Sequence, residues 1–331
     1  CIVQMLLTIY IKSNLTIKII MKKKRSNEEM ADNTTLAATV NKGEMIGILS
    51  EKNLKFVEEK DGTVKAISGN IVIDVDGEKF RVSVYTSKLT NAGEQNRLWD
   101  NTMSLKDEYV AQADSATTGK EPDRVNCAFQ IQSRCYKDAR DRLKIDYQSL
   151  NMNSIKRETR DVPNCAEVDI EGVVDEVKPQ MNGEERTGKL LVTLGVIGYS
   201  GNLMKIHTVV DEDIADDFEG SYDQFDESFF KVLIRNVQVG GAQRKRTIAF
   251  GHTDKNTTIA SGYTRMEFNL YNGDPAYPPD LKIDMEAYKK ARQQYDVELD
   301  NLRQGTDIAK AAENDFKTKK DKAEDELDKV F

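Results

Sequence analysis

The sequence predicts a mainly β protein, with two tandem five-stranded barrels followed by an α-helical C-terminal tail. Three observations carry this. Short runs of alternating apolar residues recur across residues 43–270, punctuated by turn pairs such as Asp61-Gly62, Asp76-Gly77 and Asn182-Gly183. The order of features also repeats: strand, polar stretch, strand, glycine turn, strand, helix-like segment, then a hairpin with a basic tip. The glycine of the first strand lies 30 residues before the glycine of the second turn in one half (Gly47, Gly77) and 29 in the other (Gly172, Gly201). No residue-level identity accompanies this spacing, so the repeat is one of pattern. Finally, the last fifty residues give up alternation for helix-forming composition.

In the first half, residues 43–160, Met45 to Leu49 is a short apolar run that leads into a polar stretch ending at Asp61-Gly62. Ile71, Ile73 and Val75 alternate, Asp76-Gly77 turns the chain, and Phe80, Val82 and Val84 alternate on the return. Arg81, Ser83 and Tyr85 then fall on the opposite face of that strand. Thr90 to Gln112 reads as one irregular helix through Leu98, Met103, Leu105 and Tyr109, with Trp99 as a barrel plug. Ala113–Lys120 reads as flexible. Val125, Cys127, Phe129 and Ile131 give a fourth strand, and a basic connection leads to an extended run, Ile145 to Ile155.

Val162-Pro163-Asn164 marks a boundary. In the second half, residues 165–270, Val168–Val174, Lys189–Ile197 and Leu203–Val210 read as strands. Asp211–Glu227 carries Ile214, Phe218, Tyr222 and Phe225 at helical spacing. Phe230, Val232 and Ile234 then alternate into a hairpin turning at Gly240-Gly241, with Ile248 and Phe250 on its return strand. Five strands with a helix between the third and fourth is the order of an OB-fold, a small barrel that commonly binds single strands. Gly262–Asp280 reads as a loop-rich bridge. Residues 281–331 form the helical acidic tail, in two stretches, Leu281–Gln304 and Asp307–Val330, with Gly305 as the break and Thr306 as N-cap. Residues 1–29 read as a non-native or disordered extension. Lys12 and Lys18 interrupt their apolar run well short of the roughly 20 residues a membrane span needs.

A net charge of −8 and a pI near 5.2 argue against a bulk polycation, so any polyanion must be met by local patches. Two stand out. Ser228–Phe250 carries five bases and no acid, directly after Asp211–Glu227 with nine acids and no base. Arg134–Arg160 carries eight bases against four acids. Aromatics interleave with the cations, so bases could stack while Lys and Arg track phosphates. The nucleic-acid-binding candidates are Arg81, Tyr85, Arg134, Tyr136, Lys137, Arg140, Arg142, Lys144, Phe229, Lys231, Arg235, Arg244, Lys245 and Arg246. Tyr85 and Phe229 are the better stackers, because alternation sets them opposite the core.

Other chemistry finds no support. Cys1, Cys127, Cys135 and Cys165 include no CxxC pair, which fits reduced thiols and a cytoplasmic setting rather than zinc or a disulfide framework. Gly183 to Lys189 approaches a phosphate loop, but Leu190 stands where Mg²⁺ needs a hydroxyl, and a strand pattern follows where a helix is required. His207 lies in an alternating strand and reads as structural. The acids of Asp211–Glu227 read as a solvated face. No catalytic set, metal or cofactor is expected.

The last eleven residues, DKAEDELDKVF, carry five acids and two bases and end on Phe331. This pattern resembles the tails of bacterial and phage single-stranded DNA-binding proteins. Lys322, Lys329 and the helix-compatible composition depart from the usual tail. With the tandem OB-like barrels, the resemblance implies an OB-fold protein of bacteriophage or mobile-element type that binds single-stranded DNA without sequence preference in replication or recombination. It also implies that Phe331 inserts into replication partners. The alternative is a phage structural or assembly protein whose β domains pack against other subunits.

Overall fold

The structure, a computed structural model, describes residues 36–239, 243–245, 258–260 and 263–304. Strands β1 (Asn41–Glu58), β2 (Val64–Val75), β3 (Glu78–Ser87), β4 (Arg124–Lys137) and β5 (Leu143–Arg157) make the first half. Helices α1 (Trp99–Asp107) and α2 (Gln112–Thr118) lie between β3 and β4. The second half contains β6 (Cys165–Asn182), β7 (Glu185–Ile197), β8 (Leu203–Val210), helix α3 (Ala215–Ser221), β9 (Glu227–Val239) and β12 (Tyr263–Gly273). A separate pair, β10 (Gln243–Lys245) and β11 (Thr258–Ala260), lies between β9 and β12 in sequence. Helix α4 covers residues 285–304.

Both halves pair identically. In the first, the order β2-β3-β5-β4-β1 closes through β1–β2, and in the second β6-β7-β8-β12-β9 closes through β6–β9. The one parallel contact in each is β3–β5 or β8–β12. The halves are called ring one and ring two below. They are not separate sheets: β1 uses residues 41–46 to pair β6 antiparallel, from Asn41↔Ile170 to Ile46↔Cys165, so all ten strands form one sheet. One apolar core runs through both rings, from Phe80 and Phe129 to Phe230 and Phe268. Gly43 is required at the seam because the Phe129 ring lies across it, and a Cβ there would sit 2.3 Å from Cζ.

Several expectations are corrected. The polar stretch after Leu49 is not a loop: β1 continues to Glu58, paired with β2 down to Glu58↔Val64. Likewise β6 runs on to Asn182 against β7. Leu54 of one arm and Val177 of the other still pack against the core, and the polar residues around them obscure the strand pattern. Thr90–Gln112 is not one helix, since α1 and α2 are distinct, and the supposedly flexible Ala113–Lys120 lies mostly in α2. Trp99 is buried on α1, as the plug reading requires. The expected turn at Gly240-Gly241 and the return at Ile248 and Phe250 lie outside the described residues. The partner of β9 is β12, from Tyr263↔Val239 to Gly273↔Phe230, within the stretch read as a bridge. Met266, Phe268 and Leu270 supply the alternation of that strand. The tail helix of residues 307–330 lies outside the described residues, as do residues 1–29. No described helix is long and apolar enough to cross a membrane.

Candidate nucleic-acid interface

The outer face of ring one is a three-strand grid set by register. Its rows, read β1–β2–β3, are Lys55–Ser68–Tyr85, Asn53–Asn70–Ser83, Glu51–Val72–Arg81 and Ile48–Asp74–Lys79. Neighbouring strands lie about 4.8 Å apart and successive same-face residues about 6.7 Å apart. Phe80, Val82 and Val84 occupy the other face of β3 and are buried, which turns Arg81 and Tyr85 outward as alternation requires. Tyr85 is 62% exposed. Lys55, Lys79 and Arg81 are exposed, and no acid holds any of them among the described residues. Only Arg81 and Tyr85 of this face were singled out in the sequence. Lys79 was available to the same alternation, whereas Lys55 depended on seeing the long β1 arm.

The β4–β5 hairpin carries the second group. Tyr136 and Tyr147 meet edge to face at 5.7 Å, both partly exposed, and Arg134 pairs in register with Tyr147. Two of the expected cations stabilise the turn itself. Arg142 binds Asp138 at 2.8 Å, and Lys137 lies 3.6 Å from Asp141. The Arg142 side chain is the main reason the Asp138 carboxyl falls to about 2, aided by backbone N–H donors. Arg134, Arg140 and Lys144 have no acid partner among the described residues.

The third group lies on β9. Phe229 is half-buried, Lys231 lies 3.3 Å from Asp169, and Arg235 lies 3.7 Å from Asp211. Arg244 and Lys245 belong to β10, while Arg246 and Phe331 lie outside the described residues. Ring two reaches ring one here. Asn236 donates from its backbone N–H to Glu78 Oε2 at 2.7 Å and from Nδ2 to the Lys79 carbonyl at 3.0 Å. The β9–β12 arm is thereby fixed beside the Lys79 end of the grid.

The acidic segment is more than a solvated face. Asp211 binds Lys189 and Asn269, Asp226 binds Lys282, and Glu227 is buried and accepts the Ile283 N–H. The last two tie down the chain that leads into α4. His207 is structural, as expected: its Nε2 lies 3.1 Å from Asp146 Oδ2 and its Nδ1 3.1 Å from Thr193 Oγ1. Asp146, on β5, also accepts from Tyr295 Oη of α4 and lies 3.6 Å from Cys135 Sγ. Burial alone would raise the Asp146 pKa, but the His207, Tyr295 and Cys135 contacts outweigh it and hold it below the usual value. A depressed carboxylate stabilises the fold above its unfolded pKa of about 3.9, and that contribution is lost as pH falls through the lower folded value. Asp146→Asn should therefore melt earlier than the unsubstituted protein at pH 7, and the gap should narrow below about pH 4. A gap independent of pH in thermal melts would mean the Asp146 charge does not join the rings.

Among the described residues no group of three or more His, Cys, Asp or Glu side chains could hold a metal. Burial pushes the Cys127 thiol up to about 12, which makes it an inert core residue.

Fold and site together define a mainly β protein of two like-paired rings, one of which has an outer face that carries Lys55, Lys79, Arg81 and the exposed Tyr85 alongside Glu51 and Asp74. The chain belongs to the YorF family, whose model matches residues 39–305. None of the curated proteins matches it. Among solved structures it is similar to the wild-type single-stranded DNA binding protein from Thermus aquaticus, at 10% identity and a TM-score of 0.42, over 73% of this chain and 95% of that one. A deletion variant of the same bacterial protein gives 9% identity and a TM-score of 0.41, over 73% and 98%. Likeness at this level decides neither topology nor ligand.

Proposed function

We propose that each ring is an OB-type barrel and that the chain binds single-stranded DNA without sequence preference and without catalysis. The observation that carries this is Tyr85, 62% exposed at one end of the ring-one grid, with Lys55 in its own row and Arg81 and Lys79 further along the same face of β3, all three cations free of acid partners among the described residues. An exposed ring offers a stacking platform worth about 1–3 kcal/mol per base. A single strand can present a base face to it, whereas in a duplex the base faces are stacked on each other. Ser68, Asn53, Asn70 and Ser83 supply hydrogen-bonding groups between Tyr85 and Arg81, and the apolar Val72 of this face is buried, so no large apolar patch favours a protein partner. Arg134, Tyr136, Arg140 and Lys144 add a second cationic and aromatic edge, and Phe229, Lys231, Arg235, Arg244, Lys245 and Arg246 a third. Such a grip suits proteins that cover transient single strands in replication or recombination, the setting that the tail resemblance implies.

The test is a titration of fluorescent oligo(dT) against a duplex of equal length at two salt concentrations. Oligo(dT) should bind tighter, and its log affinity should fall with log salt by about 0.7 per phosphate contacted. Duplex preference, or affinity indifferent to salt, would remove the single-strand reading and favour a subunit-packing role for the β domains.

A further inference from the structure

The two rings share a topology but not a surface. On the outer side of β6–β7–β8, Val173, Ile197 and Leu203 form an apolar cluster with Tyr288 of α4, and Met285, Ala291 and Tyr295 pack against it. Tyr288 is fully buried, and a Cβ on Gly195 of β7 would lie 1.8 Å from its hydroxyl. Gly195 is thus the notch into which this side chain fits. Beneath the helix, the buried Asp175 carboxylate meets Tyr288 Oη at 3.3 Å, Arg292 Nε at 3.2 Å and Lys205 Nζ at 3.9 Å.

Lys205 makes the contrast with ring one explicit. By register, Lys79 pairs Asp74, which pairs Ile48 just before the bulge of β1, and Lys205 pairs Gly195, which pairs Val173 just before the bulge of β6, so Lys79 and Lys205 hold the matching place. Lys79 is exposed with no acid partner among the described residues. The Lys205 side chain is only 15% exposed, lies 4.4 Å over the Tyr295 ring, and is held by Asp175 and, at 3.6 Å, by Asp296. The cation at the matching place is spent inside the protein.

Resting on the single-strand reading above, we infer that the bound strand is taken by the ring-one face, and that α4 closes the equivalent face of ring two to nucleic acid. The apolar cluster and the glycine notch make α4 a built part of ring two rather than a loosely held segment. The protein therefore presents one binding face from two like-paired rings, and its occluded length on a strand corresponds to one barrel, about 4–16 nucleotides.

The experiment uses the full chain and bromodeoxyuridine-substituted oligo(dT), cross-linked by ultraviolet light and mapped by mass spectrometry. Cross-links should include Tyr85 of β3 and be absent from residues 190–210 and 285–304. In parallel, Arg81→Ala/Tyr85→Ala should lose about tenfold or more in affinity, while Lys205→Gln should stay within about twofold even if it melts earlier. Cross-links on residues 190–210 or 285–304 overturn the inference. So does a Lys205→Gln protein that keeps its melting temperature but loses affinity. Should Lys205→Gln fail to fold, the cross-link map alone decides. If the unsubstituted protein does not retain oligo(dT) at all, the single-strand reading falls and this inference falls with it.

Discussion

Tyr288→Ala should destabilise the protein by about 3–5 kcal/mol, the loss expected for truncating a fully buried aromatic side chain. The ring fills the notch over Gly195, so its removal leaves a cavity that backbone on one side and the Asp175 network on the other cannot easily close. It also strips a donor from a carboxylate whose side chain is 3% exposed. Burial, together with the Asp175 charge, raises the Tyr288 pKa far above its ordinary value, so the hydroxyl stays a neutral donor. Tyr288→Phe keeps the packing and loses one hydrogen bond to a charged group, about 1.5–3 kcal/mol. Urea denaturation gives the magnitudes, and amide exchange in residues 285–304 gives the location. A Tyr288→Ala protein with unchanged helix protection and a loss below about 1 kcal/mol would mean that α4 is docked by other contacts.

The second large effect belongs to the seam between the rings. Phe129→Ala should cost about 3–5 kcal/mol, because Phe129 is fully buried in the core where β1, β4 and β6 meet. Gly43→Ala should cost about 1–3 kcal/mol by driving a methyl into the Phe129 ring. The useful measurement is the double variant. With the ring gone, the new methyl occupies part of the cavity, so the combined loss should fall short of the sum by about 1 kcal/mol or more. Strict additivity in urea denaturation would show that the two side chains do not compete for the same space.

What could be read from the sequence follows from the range of the interactions. Gly47 with Gly77 and Gly172 with Gly201 marked matching places in two like-paired halves, because a strand and its hairpin turn are local. Alternation around Phe80, Val82 and Val84 was enough to turn Arg81 and Tyr85 outward. The arms of β1 and β6 were missed because Leu54, Phe56 and Val57 in one and Val177 and Met181 in the other are scattered among polar residues too numerous for a clear alternation. Strand β12 carried a readable alternation, yet the prolines just after it drew the segment into a loop. Tyr288, Arg292 and Tyr295 stand at spacings of four and three, which already gives one face of a helix. Nothing local names its partners: Tyr288 reaches Asp175 across 113 residues and Tyr295 reaches Asp146 across 149. Separation in sequence also hid the ion pairs of Lys231 with Asp169 and Arg235 with Asp211, whereas Lys137–Asp141 and Arg142–Asp138 are only four residues apart and were within reach of a local reading.

The shared strand has a consequence for a chain still being made. Residues 43–46 pair β4 on one edge and β6 on the other, so ring one can close once β5 has emerged while that second edge is still bare. An unpaired strand edge is a template for any other nascent chain nearby. Only seven residues lie between the end of β5 at Arg157 and the start of β6 at Cys165, and the pairing is complete by Ile170. At ribosomal rates of about 5–20 residues per second, the partner strand arrives within about one to three seconds. Lengthening that connection would prolong the vulnerable interval without touching the finished fold, and would show itself as aggregation during synthesis rather than as a lower melting temperature.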